Sequence, residues 1–181
     1  MQKMNAWLLG LGLALLCTVH AEDDEPSDTV NEEGLKEGYV LGAATNHPKF
    51  RHYADKMPMT KVTYKKLEDG SLTASAMIPW KNQCKSFAVI FKKTEDGKYV
   101  NECEWGLKVL DIIYVAEDGS YSIVVATLKK EGQEPKVIVI LLAKNPWLTP
   151  EMEGEFMKRV EEYGLTKDHI KTFPMSCTGS N

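Results

Sequence analysis

The side chains able to do chemistry are few. The chain holds four cysteines, Cys17, Cys84, Cys103 and Cys177, and four histidines. His47, His52 and His169 lack the close, regular spacing of metal ligands. No serine, histidine and aspartate fall into an arrangement that would activate a nucleophile. Cys103 sits in Asn101-Glu102-Cys103-Glu104-Trp105; its two acidic neighbours disfavour the thiolate, which is the reactive form. No catalytic residue, metal site or cofactor is therefore expected, and no enzyme.

The cysteines gain their meaning from the compartment. Lys3 precedes an apolar run, Ala6–Val19, and the small residues Val19 and Ala21 stand at the −3 and −1 positions of a cleavage site. That is the pattern of a secretory signal peptide over 1–21, too short for a membrane span. The protein is expected to be secreted and extracellular, with no membrane span in the mature chain. Cys17 leaves with the leader. Three cysteines then face an oxidising environment, so one pair and one odd thiol are expected. An odd Cys103 leaves room for a disulfide-linked partner.

The whole chain has 181 residues and a formal net charge of −4, without a basic block. Nucleic acid is excluded as a partner on those grounds. Residues 22–34 begin a polar, acidic stretch that reads as a solvated tail, and 178–181 form a short C-terminal tail. A domain spanning 35–177 is large enough for one core.

The elements that must position anything in that domain are mostly strands. Alternation of apolar and polar residues marks Gly38–Asn46, Thr60–Leu67 and the hairpin Ser71–Lys93, whose turn is expected at Pro79–Gln83. Further strands are expected at Lys98–Trp105, Lys108–Val115, Ser120–Lys130 and Lys136–Ala143. Three connections carry Glu-Asp-Gly, at Gly70, Gly97 and Gly119, a strong tight-turn signal. One helix follows: Thr149 caps it, Pro150 opens it, and Gly164 ends it. Its apolar stripe is expected at Met152, Phe156, Val160 and Tyr163. A short last strand is expected over Ile170–Phe173. Evenly spaced short strands point to an all-β fold, an up-and-down barrel or a sandwich.

The order of elements and several residues resemble the lipocalin family. The residues that carry the likeness are Tyr39-Val40-Leu41-Gly42 with Asn46, Lys81-Asn82-Gln83-Cys84, Phe91-Lys92-Lys93-Thr94, Ser120-Tyr121, Gly164-Leu165-Thr166 and Cys177. The resemblance implies an eight-stranded antiparallel up-and-down barrel with one C-terminal α-helix. It also implies a disulfide between Cys84 and Cys177. Three family motifs are altered. Lys36 and Gly38 stand where Gly-x-Trp is expected, Ala116-Glu117-Asp118 replaces Thr-Asp-Tyr, and Lys144 replaces an arginine. The lost ring and the lost cation go together, since a cation–π pair needs both; the closed end is where this matters.

Carried over by alternation, the family's inward set is Thr60, Val62, Tyr64, Ala74, Ala76, Ile78, Phe87, Val89, Phe91, Ser122, Val124, Ala126, Leu128, Lys136, Ile138, Ile140 and Leu142. Most are apolar, and the alanines leave space. Siderophore-binding members place cations in mid-barrel; the matching places here, Leu128 and Ile138, are apolar. The expected partner is thus a small hydrophobic ligand of the fatty-acid, retinoid, steroid or odorant type. Lys136, with Lys61 or Arg51, is expected near the open end, within reach of a carboxylate head. The isomerase members of the family use a cysteine on the second strand, and no cysteine occurs between Ala21 and Lys81.

Overall fold

A computed structural model describes residues 37–48, 50–51, 59–80, 83–103 and 106–173, without the side chains of 78–80, 83–85 and 103. The expected leader and tails, His52 and Cys177 lie outside these residues. So do the side chains of Cys84 and Cys103, and with them the disulfide reading.

The strands are β1 Glu37–Thr45, β2 Lys61–Lys66, β3 Leu72–Trp80, β4 Gln83–Lys93, β5 Tyr99–Cys103, β6 Gly106–Val115, β7 Tyr121–Lys129, β8 Lys136–Ala143 and β9 Ile170–Thr172. Each of β2 to β8 pairs antiparallel with the next. β8 then pairs with β1, and β1 with β2, so the sheet closes on itself. β9 lies outside that ring on β1, opposite Gly42–Ala44. Closure removes the sheet edges that would otherwise invite aggregation.

The β3–β4 hairpin is tighter than the sequence led us to expect. Pro79 pairs with Cys84 and Trp80 with Gln83, so Pro79, Trp80 and Gln83 belong to the strands rather than the turn. The three Glu-Asp-Gly turns lie together at one end of the barrel, because antiparallel strands return every second connection to the same end. Each glycine takes the left-handed conformation, with φ of 83°, 80° and 64° at Gly70, Gly97 and Gly119. The aspartates tighten the turns: Ser71 N donates to Asp69 Oδ1 at 2.9 Å, and Ser120 N to Asp118 Oδ1 at 2.9 Å. Those hydrogen bonds hold both carboxyls below their usual range, since a bonded carboxylate resists protonation.

Helix α1, Pro150–Glu162, packs on the outside of β7 and β8. Thr149 Oγ1 accepts from Met152 N at 3.3 Å, as the capping residue should. Met152, Phe156 and Val160 are buried against the barrel. Tyr163 is not part of that stripe: it caps the helix and is exposed. Leu165 takes its place, for Gly164 adopts φ 69° and Leu165 N then donates back to Val160 O at 3.2 Å. That reversal brings Leu165 under the helix end, where it is buried.

The barrel wall therefore separates two apolar clusters. The outer one joins β1, β7 and β8 to α1 through Leu41, Ile123, Val125, Val139, Leu141 and Phe156, among others. The inner one joins Leu72, Val89, Phe91, Leu110, Val124 and Leu142 across the barrel. β7 feeds both: Tyr121, Ile123 and Val125 face out, while Val124 faces in. A strand buried on both faces reads as a nearly continuous apolar run, and Tyr121–Val125 is buried throughout.

Candidate ligand-binding site

The inner wall is built by period-2 alternation on eight strands. Val62 and Tyr64 of β2 face Ala76 and Ala74 of β3; these in turn face Phe87 and Val89 of β4, and Leu72 faces Phe91. On the far side Val124 pairs with Ile140, Ala126 with Ile138 and Leu128 with Lys136. The structure thus brings the expected inward residues onto one face. Ile78 shares it by register, although its side chain is outside the described set. Thr60 lies just before β2, where its carbonyl accepts from Val40 N at 2.9 Å. Ile138 is inward by register yet packs in the cluster that Phe50 and Met59 of the β1–β2 connection join.

Burial along that face is graded. Toward the Glu-Asp-Gly end, Leu72, Phe91, Ser122, Val124 and Leu142 are buried. They pack the floor end of the barrel, and among the described residues no tryptophan–arginine stack stands there. Further toward the other end, Val62, Ala74, Ala76, Phe87, Ala126, Leu128 and Ile140 keep partial exposure although strands close around them. Solvent therefore reaches part of this inward face, whereas the half toward the Glu-Asp-Gly turns is packed. Tyr64 also lies on this face, and burial pushes its phenol well above the ordinary value.

Two expected rim cations are elsewhere. Lys61 alternates with Val62 and so points outward; its Nζ stands 2.9 Å from Glu37 Oε1 and 5.9 Å from the Tyr39 ring centroid. Arg51 Nη2 donates to Asp168 O at 3.0 Å. Lys136 alone of the three sits on the inner face, at the β7–β8 end, half-buried.

The sequence reading missed one inner cation and several inner apolar residues. On β6, Lys108, Leu110 and Ile112 share a face, and Leu110 and Ile112 belong to the inner cluster. Lys108 therefore points into the barrel, and it is 4% exposed. Burial lowers its ammonium to about 8, because desolvation disfavours charge. Tyr99 on β5 and Val40 on β1 also pack on the inner cluster. The signal was present: Lys108–Val115 alternates as the other strands do, and following it would have put Lys108 inside. Leu128 and Ile138 are apolar as expected, but the cation comes from the neighbouring strand.

Around Lys108 the wall is polar. Asn101, Lys108, Leu128 and Lys136 are successive cross-strand partners, forming one row over β5 to β8. Strands of a closed barrel tilt against its axis, so the row descends from Lys136 at the rim to Asn101 in mid-barrel. β4 and β5 pair only over Lys92–Lys93. Where they part, Asn101 Nδ2 donates to Ile90 O at 2.9 Å in place of a ladder bond. Among the described residues, no group of three or more His, Cys, Asp or Glu could hold a metal ion.

Residues 39–176 match the Lipocalin / cytosolic fatty-acid binding protein family. The chain belongs to the lipocalin family. It is 31% identical over 176 residues to the extracellular fatty acid-binding protein of Coturnix japonica, with 94% of each chain covered. It is 25% identical over 177 residues to a lipocalin of Rhinella marina, with 96% of each covered. Among solved structures it superposes on the siderocalin Ex-FABP with a TM-score of 0.67 at 23% identity, covering 81% of this lipocalin and 95% of that chain. That last likeness speaks to the fold, which is the barrel with one helix read from the sequence.

Proposed function

We propose that this lipocalin is a secreted, non-catalytic carrier of a small hydrophobic molecule held inside the barrel. The carrying observation is the inner wall: mostly apolar, and partly solvent-accessible between Ala74 and Phe87 on one side and Ala126 and Ile140 on the other. Each methylene buried there contributes ~0.8 kcal/mol, so a long apolar ligand of the fatty-acid, retinoid, steroid or odorant type gains most. The site comprises Val62, Tyr64, Ala74, Ala76, Ile78, Phe87, Val89, Phe91, Val124, Ala126, Leu128, Lys136, Ile138, Ile140 and Leu142. Relatives named extracellular fatty acid-binding proteins support both the ligand class and secretion. In this reading the leader 1–21 is removed, a Cys84–Cys177 disulfide ties the β3–β4 hairpin to the C-terminus, and Cys103 is the odd thiol.

Titration of the secreted protein with a fluorescent fatty acid or retinoid tests the reading. Saturable binding, reversed by unlabelled lipid, is the expected result. No binding by any apolar probe would overturn it, leaving a barrel that acts through its surface. The buried floor, Leu72, Phe91 and Leu142, is what favours that second reading.

A further inference from the structure

We propose that Lys108 and Asn101 form an anchoring subsite, in mid-barrel, for an aliphatic acid that carries a hydroxyl beside its acidic head. The inference rests on the carrier reading and names the ligand class within it. Two independent observations meet at this point of the wall. Lys108 is a cation on an inward face, 4% exposed, with Leu110 as the next inner residue of its strand. Like the Asn101 amide oxygen it is covered, so a ligand head reaches the pair by displacing the side chains over them. A buried ammonium gains from an anion brought next to it, and it has three donors, so a partner already held leaves others for a ligand carboxylate.

Asn101 is the cross-strand partner of Lys108. Its Nδ2 is committed to Ile90 O; a carbonyl can only accept, which fixes which end of the amide is the nitrogen. Its Oδ1 is then buried and, among the described residues, has no hydrogen-bond partner. Native structures rarely leave such an acceptor unmet. A hydroxyl on the ligand, one or two carbons from a carboxylate held by Lys108, would supply the missing donor. An unsubstituted fatty acid would satisfy Lys108 but leave Asn101 Oδ1 unmet. An ester could only accept from Lys108 through a neutral carbonyl, a weaker bond than a carboxylate makes. A hydrocarbon would satisfy neither group, so the subsite discriminates by chemistry rather than by size.

The test is displacement of a fluorescent lipid from the secreted protein by β-hydroxymyristic acid, myristic acid and methyl myristate. The expected order of affinity is hydroxy acid, then acid, then ester, with acid and ester on the order of tenfold apart. Lys108→Met should abolish the acid-over-ester preference while leaving the ester where it was. Asn101→Leu should abolish only the preference for the hydroxyl. The comparison within the unmodified protein stands even where a variant fails to fold. Equal binding of acid and ester, or an acid preference that survives Lys108→Met and disappears in Lys136→Met, overturns the anchor. Displacement by none of the three overturns the carrier reading itself, so the two failures are told apart.

Discussion

On β7, Tyr121, Ile123 and Val125 look outward beneath α1, and Ser122, Val124 and Ala126 look into the barrel. The outward set meets Phe156 and Val160 and is closed off from solvent. The inward set passes from buried at Ser122 and Val124 to partly exposed at Ala126, and a lysine stands on the neighbouring strand. One sheet thus has a face packed like a protein interior and a face left open over half its length. Interiors pack close to the density of crystals, and the helix-covered face is packed in that way along its whole length.

That contrast can be broken most directly on the outer face. Phe156 is buried between α1 and the bulge at Gly42, where a Cβ would lie 3.5 Å from its ring. Phe156→Ala should lower unfolding free energy by about 3–5 kcal/mol, read by urea denaturation. The folded fraction should still bind a lipid probe with unchanged affinity. A parallel loss of affinity would mean the two faces are one core.

The complementary change is Ala76→Trp on the inner face, opposite Phe87. If the volume there is open, the indole occupies it. Probe affinity then falls by more than tenfold while stability moves by less than about 1 kcal/mol. A filled interior predicts the reverse, because overpacking destabilises by about 1–3 kcal/mol. Stability measured alongside binding separates the two.

A smaller effect distinguishes the faces by pH. The folded Lys108 ammonium titrates at about 8, against 10.5 for an ordinary lysine. Between those values the unfolded chain holds a proton that the folded chain has lost, so stability rises with pH across the window. Tyr64 and Tyr121 act in the opposite sense and higher up: their phenols are raised by burial, so above the ordinary tyrosine range the unfolded chain loses protons first and stability falls. Urea midpoints should therefore climb from neutral pH to just below the tyrosine range. Lys108→Met should flatten that climb. A midpoint already flat in the unmodified protein would show that Lys108 is held charged by an ion pair, not desolvated.

Most of the barrel was legible because it is written in local signals. Alternation gave the strands, Glu-Asp-Gly the turns at one end, and Thr149-Pro150 with Gly164 the limits of α1. Pro79 and Trp80 were misplaced because proline reads as a turn residue, yet here Pro79 and Trp80 end β3, paired with Cys84 and Gln83. Tyr163 was misplaced because helical period continues past the point where the chain leaves the helix, and only the left-handed Gly164 decides that Leu165 tucks under. Lys108 was missed for a different reason. A charged residue in a strand is ordinarily assigned to solvent, and only the register, with Leu110 and Ile112 on the same side, turns it inward. Lys61 shows the converse error, since proximity to the open end does not give a side chain the inward face.

The smallest test concerns the contact that could link the two faces. Arg159 of α1 bonds Glu155 Oε1 through Nε at 2.8 Å and lies within 3.3 Å of Glu162 Oε2. Its guanidinium stands 5.2 Å from the Tyr114 ring centroid, and that ring lies 5.6 Å from the Tyr121 ring. Tyr114 belongs to β6, the strand that carries Lys108 into the barrel. Arg159→Lys keeps the charge but loses the planar fork and the stacked face, so it should weaken helix docking by about 0.5–1 kcal/mol. Between Ile112 and Tyr114 the β6–β7 register shifts, and such a bulge interrupts the ladder between Tyr114 and the inner row that holds Lys108. Lipid affinity and the acid-over-ester preference should accordingly stay unchanged in Arg159→Lys. If that preference shifts, the bulge does not insulate the faces, and α1 reaches the ligand site through β6.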